Sequence, residues 1–232
     1  MLVLLLSTIA WGAPVVDPVV NPSVSRLRLT SLVDVRATRV EQADCQGEAC
    51  EAWDQRTVYG AEGQIALLRG LGLAVGLGYQ RARVDEADFD ATGLALSAAL
   101  RGALPIASSW WVHAQGRVDS SSPGNQGPEA GKSSLLAATA TLGLAVGDLD
   151  SGFIGHFGAQ AAPLYAFRVQ PLGEQSIELE LSPSRPVGLA GGFSFLSQPM
   201  GGSWSAAPRL AVHVDATAIH SSSVSAGIGV AW

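Results

Sequence analysis

The final stretch of the chain, residues 222–232, constrains the fold more than any other segment. Its side chains alternate strictly between apolar residues and small or weakly polar ones, and the stretch ends on an aromatic residue. The apolar series is Val224, Ala226, Ile228, Val230 and Trp232. Because successive side chains of a β-strand point to opposite faces, this period of two predicts a strand with one apolar face.

The same alternation recurs in the interior and is clearest over residues 71–80. One face carries Leu71, Leu73, Val75, Leu77 and Tyr79, and the other carries Gly72, Ala74, Gly76, Gly78 and Gln80. Arg69 and Gly70 separate this segment from the strand-like residues 57–68. A turn this short joins two strands only as an antiparallel hairpin.

The composition agrees with strands that are apolar on one face. The chain is 47% hydrophobic with a mean hydropathy of +0.26, yet it lacks the run of roughly 18 apolar residues that a transmembrane helix needs. A membrane-spanning strand needs only about 9–11 residues, half of them apolar. The formal charge of −6 and the absence of a basic patch argue against nucleic-acid binding.

The pattern of residues 222–232 resembles the C-terminal strand of bacterial outer-membrane β-barrel proteins, a superfamily rather than a specific family. The resemblance implies an antiparallel up-and-down transmembrane barrel, embedded in the lipid bilayer of the outer membrane. It also implies that the barrel-assembly machinery reads this last strand. We expect a monomer. A soluble secreted β-sandwich remains an alternative, because the charged strand faces could be solvated.

The N-terminal segment predicts export. Residues 2–10 form an apolar run, and the small residues Ala10 and Gly12 fit a signal-peptidase site with cleavage after Gly12. We therefore predict a signal peptide at 1–12, a periplasmic lead-in at 13–23 and the barrel domain at 24–232. A buried strand is the alternative for the apolar run.

Turn signals divide the barrel domain into about ten strands, although eight or twelve also fit. The predicted strands are 24–40, 57–68, 71–84, 89–100, 110–118, 134–146, 153–169, 176–196, 204–219 and 222–232. The segment 176–196 is predicted as one descending strand, broken near Pro183–Pro186. We expect exposed loops at 42–56 and 119–132, and a turn at 101–109. Aromatic girdles at the two membrane interfaces are expected near the strand ends, with Tyr59, Tyr79 and Tyr165 at the outer rim.

Two cysteines, Cys45 and Cys50, lie in the first predicted outer loop. In an exported protein, two cysteines this close in sequence predict a local disulfide. A metal or redox site is the alternative, but no histidine stands near them in sequence.

The histidines are the main candidates for chemistry. His113, His156 and His213 are predicted to face the lumen, and Asp215 shares a strand face with His213. A histidine beside a carboxylate is the orienting half of a hydrolytic triad, so an outer-membrane hydrolase is the alternative function. The chain has no Gly-x-Ser-x-Gly motif. We therefore predict no catalytic, cofactor-binding or metal site, and no enzyme.

Several charged residues are predicted to line the lumen together. They are Arg26, Arg28, Arg36, Glu62, Arg117, Arg209 and Asp215. Burying these charges is costly unless they pair or contact water. Because about ten strands enclose a much narrower interior than the 16–18 strands of porins, we expect a filled lumen and at most a narrow pore. The leading expectation is a non-enzymatic barrel with a structural or surface-interaction role.

Overall fold

The computed structural model describes residues 27–42, 51–68, 70–84, 89–124, 132–148, 152–170, 179–200, 207–218 and 222–232. The predicted signal peptide at 1–12 and the lead-in at 13–23 lie outside these ranges, as do Cys45 and Cys50. The disulfide and the N-terminal boundaries therefore stay predictions. Across the described ranges, no helix is long and apolar enough to cross a membrane.

The described chain forms one antiparallel sheet. Its strands are β1 (Leu27–Gln42), β2 (Glu51–Leu68), β3 (Leu71–Val84), β4 (Phe89–Ala107), β5 (Trp110–Gly124), β6 (Lys132–Asp148), β7 (Phe153–Gln170), β8 (Leu179–Pro183), β9 (Val187–Leu196), β10 (Arg209–Ala218) and β11 (Ser222–Ala231). From β1 to β7 each strand pairs with the next along the chain, and β9, β10 and β11 continue the order after β7. This is the up-and-down connectivity that the short turns predict.

The sheet closes because β1 pairs with β11. The pairing runs from Arg28 opposite Ala231 to Ala37 opposite Ser222. The result is a closed ten-strand barrel in which β8 and β9 count as one strand, so the predicted fold class and strand number are confirmed. A closed single sheet also excludes the β-sandwich alternative, which needs two sheets packed face to face.

Strands β8 and β9 are two parts of one descending strand. Both pair with β7 in the same register, with Leu181 opposite Phe167 in β8 and Val187 opposite Ala161 in β9. Between them, the amide of Ala162 donates to the carbonyl of Pro186 at 2.8 Å. The predicted break at Pro183–Pro186 is therefore confirmed.

The barrel narrows towards the end where β8 lies. We call this the upper end. Strands β10 and β11 are shorter than β1 to β7 and do not reach it. Beyond the hairpin of β10 and β11, strand β8 takes their place and pairs directly with β1, through Val40–Gln42 and Leu181–Pro183. The upper ring therefore contains β1 to β8, eight strands, whereas the lower ring contains ten. Because barrel diameter grows with strand number, the upper lumen is the tighter part.

Three strands extend by about six residues beyond the bounds that the sequence predicts, whereas other strand ends differ by only a few residues. Residues 51–56 and 119–124, predicted as loop, belong to β2 and β5, and the predicted turn at 101–109 is strand as far as Ala107. Pro105 does not end β4, because β3 begins opposite Gly102 and the last residues of β4 pair only with β5. A proline without an amide hydrogen is tolerated on such an edge.

The two faces of the sheet have opposite chemistry. Large apolar side chains point outwards and are exposed, among them Leu96 at 57%, Leu142 at 62% and Leu189 at 56%. Charged and amide side chains point inwards and are buried, among them Arg101 and Arg117, each at 2%. This arrangement is inverted relative to a soluble protein, in which buried arginines are rare.

Leu32, like Val40, is an apolar residue on the mostly polar inward face of β1, and its position has a packing reason. It points into the lumen, is 4% exposed and stands opposite Gly227 of β11. A Cβ added at Gly227 would collide with the side chains of Leu32 and His213. The glycine therefore leaves the space that the leucine fills.

The aromatic residues form the expected rims, with one correction. Tyr59 and Tyr79 stand opposite each other on the outer face near the upper end, and Trp110, Phe153 and Trp232 are exposed near the lower end. Tyr165, predicted for the outer rim, instead points into the lumen. A register shift between β6 and β7 at Ala138–Ala140 moves the side chains of the upper part of β7 to the other face.

Candidate functional site

The lumen holds most of the residues that the sequence marks as candidates. Its buried members include Arg28, Glu62, Arg117, Asp215, His113, His156 and His213, all of them predicted to face inwards. Arg36 and Arg209 are only partly buried, and Arg26 lies outside the described residues. The alternation of each strand places these side chains inside, because the opposite face is occupied by the large apolar residues.

Glu62 of β2 lies at the centre of the charge network. Its Oε1 is 2.7 Å from Nη1 of Arg101, and its Oε2 is 3.1 Å from Nη1 of Arg117. The three side chains are between 0 and 4% exposed. One carboxylate therefore bridges two guanidinium groups that come from β4 and β5.

The two arginines have further acceptors of their own. Arg101 donates from Nε to the Gln115 side chain at 2.9 Å, and from Nη1 to Gln64. Arg117 donates from Nε to both carboxylate oxygens of Asp119, at 2.8 and 3.0 Å. These contacts join β2, β4 and β5 across the lumen, and they compensate charges whose burial would otherwise be costly.

The hypothesised pair of His213 and Asp215 is not assembled. Nη2 of Arg28 lies 3.1 Å from Nδ1 of His213, whereas Oδ1 of Asp215 lies 2.8 Å from Nε2 of His156. The His156 ring also meets the His113 ring edge to face, with centroids 5.8 Å apart. Asp215 thus contacts a different histidine from the one on its own strand.

A second charge cluster closes the narrow upper ring. Nε of Arg56 donates to Oδ1 of Asp54 at 3.1 Å, and Nη2 of Arg56 donates to the hydroxyl of Tyr165 at 2.9 Å. The Tyr165 hydroxyl in turn donates to Asp54, and the Arg56 guanidinium lies 5.4 Å from the tyrosine ring centroid. The cluster therefore ties β2 to β7 through the interior.

Besides these charge clusters, the described part of the lumen holds a small apolar cluster and a small cavity. Trp111, Ala145 and Ile154 form a buried apolar cluster towards the lower end. In the upper part, Asp34, Gln80 and Ser121 line a cavity of about 30 Å³. A cavity of that size holds on the order of one water molecule.

Four residues of the lumen charge clusters escape the sequence analysis, and one of them, Asp119, falls in the predicted loop at 119–132. Asp54 and Arg56 fall in the predicted outer loop, and Arg101 falls in the predicted turn. Extending the period of two would have found them, because Arg101 continues the inward series of Ser97 and Ala99 on β4. Within the described ranges, no group of three or more histidine, cysteine or acidic residues is placed to hold a metal ion.

Comparison with known proteins gives only distant structural similarity. No protein-family model and no curated protein matches this chain. The translocator domain of autotransporter NalP from Neisseria meningitidis is 11% identical over 89% of this chain and 88% of its own, with a TM-score of 0.41. The deltaS2S3 mutant of the monoaromatic hydrocarbon channel TodX is 8% identical over 97% of this chain and 95% of its own, with a TM-score of 0.32. At these values the fold assignment rests on the strand pairing of this chain itself.

Proposed function

We propose that this protein is a bacterial outer-membrane β-barrel with a filled lumen, which acts as a structural or surface-interaction element and forms at most a narrow pore. The observation that carries the proposal is the inverted sheet, with leucines exposed outside and arginines buried inside. In water, an outer face of this kind would be a large exposed apolar patch. In a bilayer it contacts lipid.

The height of the apolar face supports membrane embedding. On β3 the outward residues are apolar or aromatic from Leu71 to Tyr79, and Arg81 follows. At about 3.3 Å per residue and a tilt of about 40°, this stretch spans roughly 20–25 Å, close to the apolar band of about 25 Å in membrane barrels. The tyrosine stands where an interfacial aromatic residue is expected.

The buried network supports a filled lumen. Glu62, Arg101 and Arg117 pair across the interior, and Arg56 and Tyr165 close the narrower upper ring. Paired and hydrogen-bonded charges replace the water that an open channel would hold. We therefore expect wild-type protein in planar bilayers to be silent or to conduct only weakly, whereas Glu62→Ala should raise the conductance. A large wild-type conductance would contradict the filled lumen.

We propose that the protein is not an enzyme. His213 contacts Arg28, whereas Asp215 contacts His156, so neither histidine has the full arrangement that a hydrolase needs. Esterase and protease assays on the refolded protein should give the same background for wild type, His156→Ala and His213→Ala. Activity lost in either variant would establish the hydrolase alternative.

The proposed function also requires that the protein is exported and assembled into the membrane. We propose that residues 1–12 direct export, that β11 is read by the barrel-assembly machinery, and that the barrel is monomeric. These rest on the sequence pattern of the two ends and on the closure of β1 with β11.

A cold SDS gel of membrane-extracted protein, boiled beside unboiled, tests membrane embedding. A barrel whose backbone hydrogen bonds are all internal resists SDS until it is heated, so the unboiled band should migrate differently. An unshifted band, with the protein in the soluble periplasmic fraction, would overturn the proposal.

A further inference from the structure

Two outward arginines stand directly above the apolar band. On the outer face of β3, Tyr79 is followed by Arg81 and then Arg83, and both arginines are exposed. Tyr59 of β2 stands opposite Tyr79, so the upper tyrosine rim lies immediately below them. This is the level at which the headgroups of a bilayer meet the barrel wall.

The arginines border a groove on this outer face. The groove has a volume of about 600 Å³ and crosses β3, β2, β1, β11 and β10. Its outward floor is made of short side chains that follow the register of these strands, including Thr57, Ala37, Ala216 and Ser222. Small floor residues beside long arginines create a depression, and its volume is within the range of about 300–1,000 Å³ that ligand sites occupy.

We propose that this groove binds the phosphate-bearing headgroup of an anionic membrane lipid. Val35 and Val224 on the groove floor would lie against the start of the acyl chains, and both are more than half exposed, at 53 and 56%. Arg81 and Arg83 hold the headgroup from one side, because guanidinium groups pair with phosphate oxygens through several donors at once. The inference rests on the membrane embedding proposed above.

Native mass spectrometry of the detergent-solubilised, folded protein tests the inference. Phosphatidic acid and phosphatidylcholine with the same acyl chains are offered together, and the ratio of the two bound lipids is measured. Each basic residue near a membrane surface contributes a factor of about five, so the double variant Arg81→Gln/Arg83→Gln should lose the preference for phosphatidic acid by about 30-fold.

Two controls keep the outcomes distinct. Arg185→Gln removes an exposed arginine in the break between β8 and β9, outside the groove, and should leave the ratio unchanged. Arg81→Lys/Arg83→Lys keeps both charges and should retain most of the preference. The inference is overturned if the glutamine double variant keeps the preference, or if Arg185→Gln reduces it equally. Failure of membrane embedding would look different, because neither lipid would bind and the cold gel would show no shift.

Discussion

Replacing Glu62 by glutamine removes a carboxylate that bridges two buried arginines. The glutamine keeps the shape of the side chain and one acceptor oxygen, but it leaves Arg101 and Arg117 close together without the negative charge between them. Both guanidinium groups are nearly inaccessible, at 3 and 0% side-chain exposure. The variant therefore isolates the electrostatic part of the lumen network.

The expected cost follows from the partners that remain. Removing one member of a buried ion pair costs about 3–5 kcal/mol, because an uncompensated charge stays buried. Here Arg101 retains Gln64 and Gln115, and Arg117 retains Asp119. We therefore expect Glu62→Gln to lower the free energy of unfolding by about 3 kcal/mol, at the lower end of that range.

Urea unfolding of the protein in lipid vesicles, followed by tryptophan fluorescence, measures this change. The double variant Glu62→Met/Arg101→Met removes one charge of each sign and should cost less than Glu62→Gln, since Arg117 keeps Asp119 as its counter-charge. Arg185→Gln, at an exposed arginine, should change the free energy of unfolding by no more than about 0.5 kcal/mol. A cost below about 1 kcal/mol for Glu62→Gln would refute the reasoning, because it would mean that water screens the network and the lumen is open.

Two further variants test packing and the upper closure in the same unfolding assay. Gly227→Ala should destabilise the barrel by about 1–3 kcal/mol through overpacking of the lumen, whereas Gly116→Ala, where nothing lies near the added Cβ, should be nearly neutral. Tyr165→Phe removes the hydroxyl that joins β7 to the charge cluster on β2, and should cost about 1–2 kcal/mol. Tyr79→Phe, at an exposed tyrosine of the upper rim, is its control and should cost less. If the test variant and its control changed the free energy of unfolding equally, for the two glycines or for the two tyrosines, the assigned contacts would be contradicted.

The period-two alternation and the turn signals were sufficient to predict the number of strands and most of their faces, and the resemblance of the C-terminal strand added the barrel. The alternation placed β3 at Leu71–Val84 without error, because every outward residue there is large and most inward ones are small. It also placed His113, His156 and His213 in the lumen. Because a strand has only two faces, the residues between the outward apolar ones must point into the lumen.

The sequence could not predict which residues meet across the lumen. Asp215 and His213 share a strand face, but the contacts of Asp215 and His156 depend on how β7, β9 and β10 curve around the interior. Tyr165 was misplaced for a local reason, because the bulge beside Ala138–Ala140 reverses the face and leaves no mark in the alternation of β7 itself. Pro105 was predicted to lie in a turn because the sequence of β4 does not show that β3 stops short of it, which leaves Pro105 paired with β5 alone.

The β1–β11 seam also determines when the barrel can form. Across it, the Ser31 hydroxyl donates to the carbonyl of Ile228 over a sequence separation of 197 residues. During synthesis, β11 leaves the ribosome long after β1, so until then the edge of β1 lacks the partner with which it closes the barrel. An open apolar strand edge is a template for pairing with other chains. The protein therefore has to be kept apart from its own copies until β11 is available, and the slowest step of its folding is expected to be the closure of β1 with β11.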